Sequence, residues 1–104
     1  MKEFLSASLP EIYGTSFHYG YVKATANQIA GVLGETDGYS DHKTQREWCC
    51  KVDGVVFTIY DYCEGRAIYP YEVIEYHIGT KSEADTRAIV EILKEHGLNA
   101  YISQ

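Results

Sequence analysis

The dipeptide Asp53-Gly54 constrains this chain more than any other pair of residues. It separates two strand-forming runs, Thr44-Gln45-Arg46-Glu47-Trp48-Cys49-Cys50-Lys51-Val52 and Val55-Val56-Phe57-Thr58-Ile59-Tyr60-Asp61-Tyr62. A type I′ turn needs positive φ at both central residues, and Asp-Gly supplies it at low steric cost, so the runs fold back as a hairpin. A two-residue turn sets the register: Val52 faces Val55, Cys50 faces Phe57, Trp48 faces Ile59 and Arg46 faces Asp61. One face then carries Trp48, Cys50, Val52, Val55, Phe57 and Ile59, apolar throughout, and belongs to the core. The other carries Glu47, Cys49, Lys51, Val56, Thr58 and Tyr60, a mixed and half-exposed set.

The flanking sequence supplies partners for this hairpin. Residues 1–15 read as an N-terminal arm or edge segment containing Pro10 and ending at Gly14-Thr15. Ser16 to Lys23 alternates as a strand, weakened by Gly20. Thr25 and Gln28 form a capping box ahead of a short helix that stops at Gly34. After a long connection through Cys63 to Tyr71, Glu72 to Ile78 reads as a third strand, with Ile74, Tyr76 and Ile78 inward and Val73, Glu75 and His77 outward. Ser82 caps a helix to His96, with Glu83 and Asp85 in its first turn and Ala84, Ala88, Ile89, Ile92 and Leu93 as the buried stripe. Gly97 ends it, and Ala100-Tyr101-Ile102 adds an edge strand. The expected fold is one α+β domain over residues 1–104: a small antiparallel sheet of three to five strands, ordered β-α-β-β-β-α-(β), with its helices packed on one face.

Composition narrows the function classes. With 104 residues the chain has enough apolar side chains for one core and too little depth for a multi-layer active site. A net charge of −6 argues against direct DNA or RNA binding, where a basic face supplies most of the affinity. No apolar run has the length of a membrane span, and Met1 to Leu5 is too short an apolar stretch for a signal peptide, so a cytoplasmic protein is expected. The three cysteines form no paired metal spacing, and Cys49 and Cys50, as strand neighbours, point to opposite faces; reduced thiols without a metal or other cofactor are expected. No nucleophile elbow, phosphate-binding loop or dinucleotide fingerprint is present. Glu75 and His77 share a strand face, a pairing that on a sheet usually means surface hydrogen bonding. The chain reads as a non-catalytic protein.

Two features point to binding. The helix start at Thr80-Lys81-Ser82 combines open amides, two hydroxyls and an ammonium, which suits an anion as well as it suits ordinary capping. Ten tyrosines in 104 residues is the compositional outlier. Tyr60, Tyr62, Tyr69 and Tyr71 cluster around one strand end and the next loop, with Arg66 between them, and offer flat contact surface at low entropic cost.

The stretch Thr58-Ile59-Tyr60-Asp61-Tyr62, then Glu72-Val73-Ile74-Glu75-Tyr76-His77-Ile78-Gly79, with Ser82 opening a helix, resembles small bacteriophage-encoded proteins over residues 44–96. Thr80 stands where that group carries a second glycine. The resemblance implies a counter-defence role in the host cytoplasm. In one form the chain sequesters a cyclic oligonucleotide signal between the subunits of a homo-oligomer, with Thr80, Lys81, Ser82 and Arg66 on the phosphates and Tyr60, Tyr62 and Tyr69 stacking the bases. In the other it inhibits a host defence protein, in an anti-CRISPR-like manner, its acidic surface covering a basic site.

Overall fold

In the computed structural model, which describes residues 4–15, 17–35, 46–61 and 67–103, Asp53 and Gly54 take φ values of 53° and 80° and close the expected hairpin. Among these residues the elements run β1 (Leu5–Ser6), α1 (Leu9–Ile12), β2 (Phe17–Ala24), α2 (Ala26–Leu33), β3 (Glu47–Val52), β4 (Val55–Tyr60), β5 (Ile74–Thr80), α3 (Glu83–Glu95) and β6 (Ala100–Ile102). All strands join one sheet in the order β1-β3-β4-β5-β2-β6, and every pairing is antiparallel. The β3–β4 register is the one that the two-residue turn dictates, with Cys50 opposite Phe57 and Trp48 opposite Ile59.

Two parts of the expected fold are corrected. The sheet has six strands rather than three to five. The additional strand comes from the N-terminal arm, where Leu5 pairs with Lys51 and Ser6 with Cys50; two residues are too few to show a period of two. The helices also do not share one face. Ala26 and Ile29 of α2 and Ile89, Val90, Ile92 and Leu93 of α3 join the core with Val22, Trp48, Phe57, Ile59, Tyr76 and Ile78. Helix α1 lies across the opposite face, where Glu11 reaches Lys51 at 2.6 Å and the Thr15 carbonyl crosses Gly79. Ser8 and Glu11 form a reciprocal capping box around α1, with Pro10 in its first turn.

Local signals elsewhere act as their chemistry demands. Thr25 and Gln28 cap α2 reciprocally. Helix α3 ends in a Schellman motif: the Leu98 amide donates to the Leu93 carbonyl and the Gly97 amide to that of Lys94, with Gly97 at φ 87°. The buried stripe of α3 is shifted from the expected one. Thr86 and Val90 are buried, whereas Ala84 and Ala88 are exposed, because the helix presents Thr86 to the sheet at Gly20. Each large aliphatic or aromatic side chain in this core contributes about 1.5–3 kcal/mol by leaving water.

Gly20 permits this approach. A Cβ there would stand 2.7 Å from Thr86 Cγ2 and 3.2 Å from Ile78 Cβ, which neither β-branched neighbour can relieve by a rotamer change alone. Gly20→Ala is therefore expected to destabilise the fold by about 1–3 kcal/mol through overpacking. Gly31→Ala, on the exposed side of α2 with open space around it, is expected to stabilise by about 0.5–1 kcal/mol. Urea unfolding of both variants beside the wild type measures the two opposite shifts.

Candidate functional site

Among the described residues, those expected to form a nucleotide site do not converge within a subunit. Thr80 is fully buried. Its hydroxyl donates to the Ser82 carbonyl at 2.7 Å and lies 2.6 Å from the Thr86 hydroxyl, so it braces the β5–α3 junction and is closed to a ligand. The Ser82 side chain accepts from the Asp85 amide, and Glu83 pairs with Arg87 at 2.7 Å. The helix start is thus occupied by its own cap and first-turn carboxylates, the capping alternative. Lys81 is exposed at this end of β5.

Tyr69 lies at the other end. It is 57% exposed and stacks on Tyr71, with centroids 5.5 Å apart and planes 15° apart. The segment around it is held against the start of α2 by the Asn27 amide, which donates to the Pro70 carbonyl. Arg46 reinforces this placement: its guanidinium donates to the Ile68 carbonyl and its amide to the Asp61 carboxylate. The whole of β5 separates Tyr69 from Lys81, roughly 20 Å at the rise of an extended strand. Arg66 and Tyr62 lie outside the described residues. Of the expected residues that are described, only Tyr60 sits in the middle of the sheet.

There the topology assembles something different. Register places Glu47 opposite Tyr60, Tyr60 opposite His77, His77 opposite Tyr21 and Tyr21 opposite Tyr101. These residues form a row across β3, β4, β5, β2 and β6, on the face away from the core. Tyr60 and His77 stack at 5.5 Å and 15°. His77 and Tyr21 meet at 5.1 Å and 56°, and Tyr21 and Tyr101 stack at 5.8 Å and 26°. All four rings are half-buried. Glu75 and Lys23 face each other in the adjoining row, and the Tyr101 hydroxyl donates to the Glu75 carboxylate. The α1–Thr15 segment frames the opposite side by covering Thr58 and Gly79.

The ring geometry decides what this surface can offer. Parallel rings at such separations are offset-stacked. Tyr60 and His77, and Tyr21 and Tyr101, therefore each give part of a face to the other ring of the pair. A platform for nucleobases instead needs rings lying flat with their faces open. The row, with Glu47 beside it and Glu75 and Lys23 in the adjoining row, is a surface of hydroxyls, two carboxylates and one ammonium over an apolar body. Tyr21, His77 and Tyr101 were absent from the expected set because their convergence needs strands far apart in sequence. Their outward positions on alternating strands were the available signal. Among the described residues, no group of three or more His, Cys, Asp or Glu side chains has a metal-holding arrangement. No family model, curated protein or solved structure matches the chain.

The frame at α1 responds to acid. The Lys51 ammonium at 2.6 Å, with further help from the Ser8 amide and hydroxyl, lowers the Glu11 carboxyl from 4.5 to about 2. A carboxyl lowered on folding adds stability that is complete above its ordinary value and disappears as pH falls toward the folded one. Docking of α1 is thus expected to weaken between about pH 4.5 and 2. Amide exchange at Ala7, which donates to the Cys49 carbonyl, reports it: its protection, taken relative to the intrinsic exchange rate at each pH, falls over this window in the wild type, and Glu11→Gln removes that fall.

Proposed function

We propose that this chain is a non-catalytic binding protein whose uncovered sheet face recognises a basic surface on another protein. The row Tyr60–His77–Tyr21–Tyr101 carries the reading. Cross-strand aromatic pairs stabilise any sheet by about 0.2–1 kcal/mol each, and that structural role applies here too. A ladder of four half-exposed rings running to the sheet edge nevertheless leaves a contiguous aromatic surface, and such surfaces mark interaction sites. Tyrosine serves these contacts well, since a large rigid ring is ordered at low entropic cost and its hydroxyl orients the partner.

Charge selects the partner class. Glu47 and Glu75 border the rings, and the chain carries a net charge of −6, so arginine and lysine donors on a partner find phenol oxygens and carboxylates to accept them. In the phage setting that the sequence resembles, such a partner is a host defence protein whose basic site the face covers. Sequestration of a cyclic oligonucleotide is less well served: Tyr69 and Lys81 would have to meet across two subunits, and the central rings already give part of their faces to one another.

The comparison of wild type with a Tyr21→Ala/Tyr60→Ala double variant tests this. Immobilised wild type is expected to retain a basic protein from lysate of the source cells at low salt and to release it as salt rises, whereas the double variant retains none of it. Titration calorimetry with cyclic di- and trinucleotides is expected to show no saturable heat. Saturable nucleotide heat, or equal retention by both proteins, would overturn the reading.

A further inference from the structure

Strand β6 closes one side of the sheet, and its backbone parity is set by two hydrogen bonds. The Lys23 amide donates to the Asn99 carbonyl at 2.9 Å, and the Ser103 amide donates to the Tyr19 carbonyl at 2.8 Å. Residues 99, 101 and 103 therefore turn their polar groups inward to β2, and Ala100 and Ile102 turn theirs to the outer edge. The Ala100 amide is engaged by the Leu98 carbonyl in a tight turn. The Ala100 carbonyl and the Ile102 amide and carbonyl are directed outward. Beside them a groove of about 450 Å³ runs between β6 and α3, with Val90, Ala100 and Ile102 as its apolar lining and Arg87, Glu91 and Lys94 as its charged rim.

We infer that this edge is the seam of a homodimer in which β6 pairs antiparallel with β6 of a second copy, the two-fold axis passing at Tyr101. Three observations single out a second copy as the occupant. The first is hydrogen-bonding self-complementarity. With the axis at Tyr101, the Ile102 amide stands opposite the partner's Ala100 carbonyl, and symmetry repeats the bond. The second is charge. The rim carries Arg87, Glu91 and Lys94; Arg87 is paired with Glu83 at 2.7 Å and Lys94 with Glu91 at 3.2 Å, so each cation brings its own counter-charge and two identical grooves meet without an excess of like charge. The third is continuity. Tyr101 then faces the partner's Tyr101 as a non-hydrogen-bonded pair, the closer of the two antiparallel spacings, and the aromatic row passes unbroken from one sheet into the next. A strand of three residues makes few hydrogen bonds, so most of the association comes from covering Ile102 and Tyr101, both half-exposed in one subunit, along the shared seam.

The parity of β6 also supplies the test. Ile102→Pro deletes an amide that the β2–β6 ladder does not use, and edge positions with an outward N–H tolerate proline. Sedimentation velocity is expected to show a dimer for the wild type and for Ile102→Val, and loss of the dimer for Ile102→Pro. The far-ultraviolet dichroism of Ile102→Pro should match the wild type. Amide exchange of the unmodified protein gives an independent reading, because protection of the Ile102 amide should rise with protein concentration. A wild type that stays monomeric, a dimer that survives Ile102→Pro, or an Ile102 amide whose exchange ignores concentration would each overturn the inference. The seam does not rest on the binding-face reading: the Tyr21→Ala/Tyr60→Ala variant keeps the dimer even where it loses its partner.

Discussion

The close approach of α3 to the sheet at Gly20 is the constraint on which the rest of this structure depends. Thr86 of α3 fills the space that a side chain at Gly20 would take, and its hydroxyl meets that of buried Thr80. One small residue on β2 thereby lets the helix touch β2 and β5 together and sets the distance between layers. The pairing of β2 with β5, which brings residues 20–24 against 74–78, is sealed from the core side by the same contact. Without that pairing β5 would be left as an edge strand beside the hairpin, and β6 would have no strand of the sheet to extend.

This non-local pairing also creates the aromatic row. Tyr21 and His77 are separated by most of the domain in sequence and become direct neighbours only because β2 inserts between β5 and β6. The opposite face is divided as a consequence. The α1 segment covers the β3–β4 side, and the half-exposed rings occupy the centre and the β6 side. Every ring of the row stands on a strand whose reverse side contributes to the core, so this face has firm backing.

Legibility in the sequence followed the range of the interaction. The Asp53-Gly54 turn, the Thr25–Gln28 box, the Ser82 cap and the Gly97 stop each depend on residues a few positions apart, and each was readable. The Ser8–Glu11 box is equally local, and it marks α1 in the segment whose composition reads as an arm or edge. Strand β1 was not readable, since Leu5–Ser6 acquires its identity from Lys51 and Cys50 and not from its own pattern. Site residues divided the same way. Tyr60 sits on a strand whose register the turn dictates. Tyr69 and Lys81 share only a chemistry suited to one ligand, and the geometry of β5 parts them, because a strand carries its two ends far from each other.

Cys49 and Cys50 are adjacent, both buried, and sheltered by different structures. Cys50 belongs to the main core, whereas Cys49 does not; its side of the sheet is the one that α1 crosses. A thiol reagent therefore reaches the second sulfur only through an opening on the scale of the whole fold. It reaches the first whenever a four-residue helix lifts from its ion pair. Two consecutive positions of one strand thus act as chemical clocks running at separate speeds, one timing the domain and the other its lid.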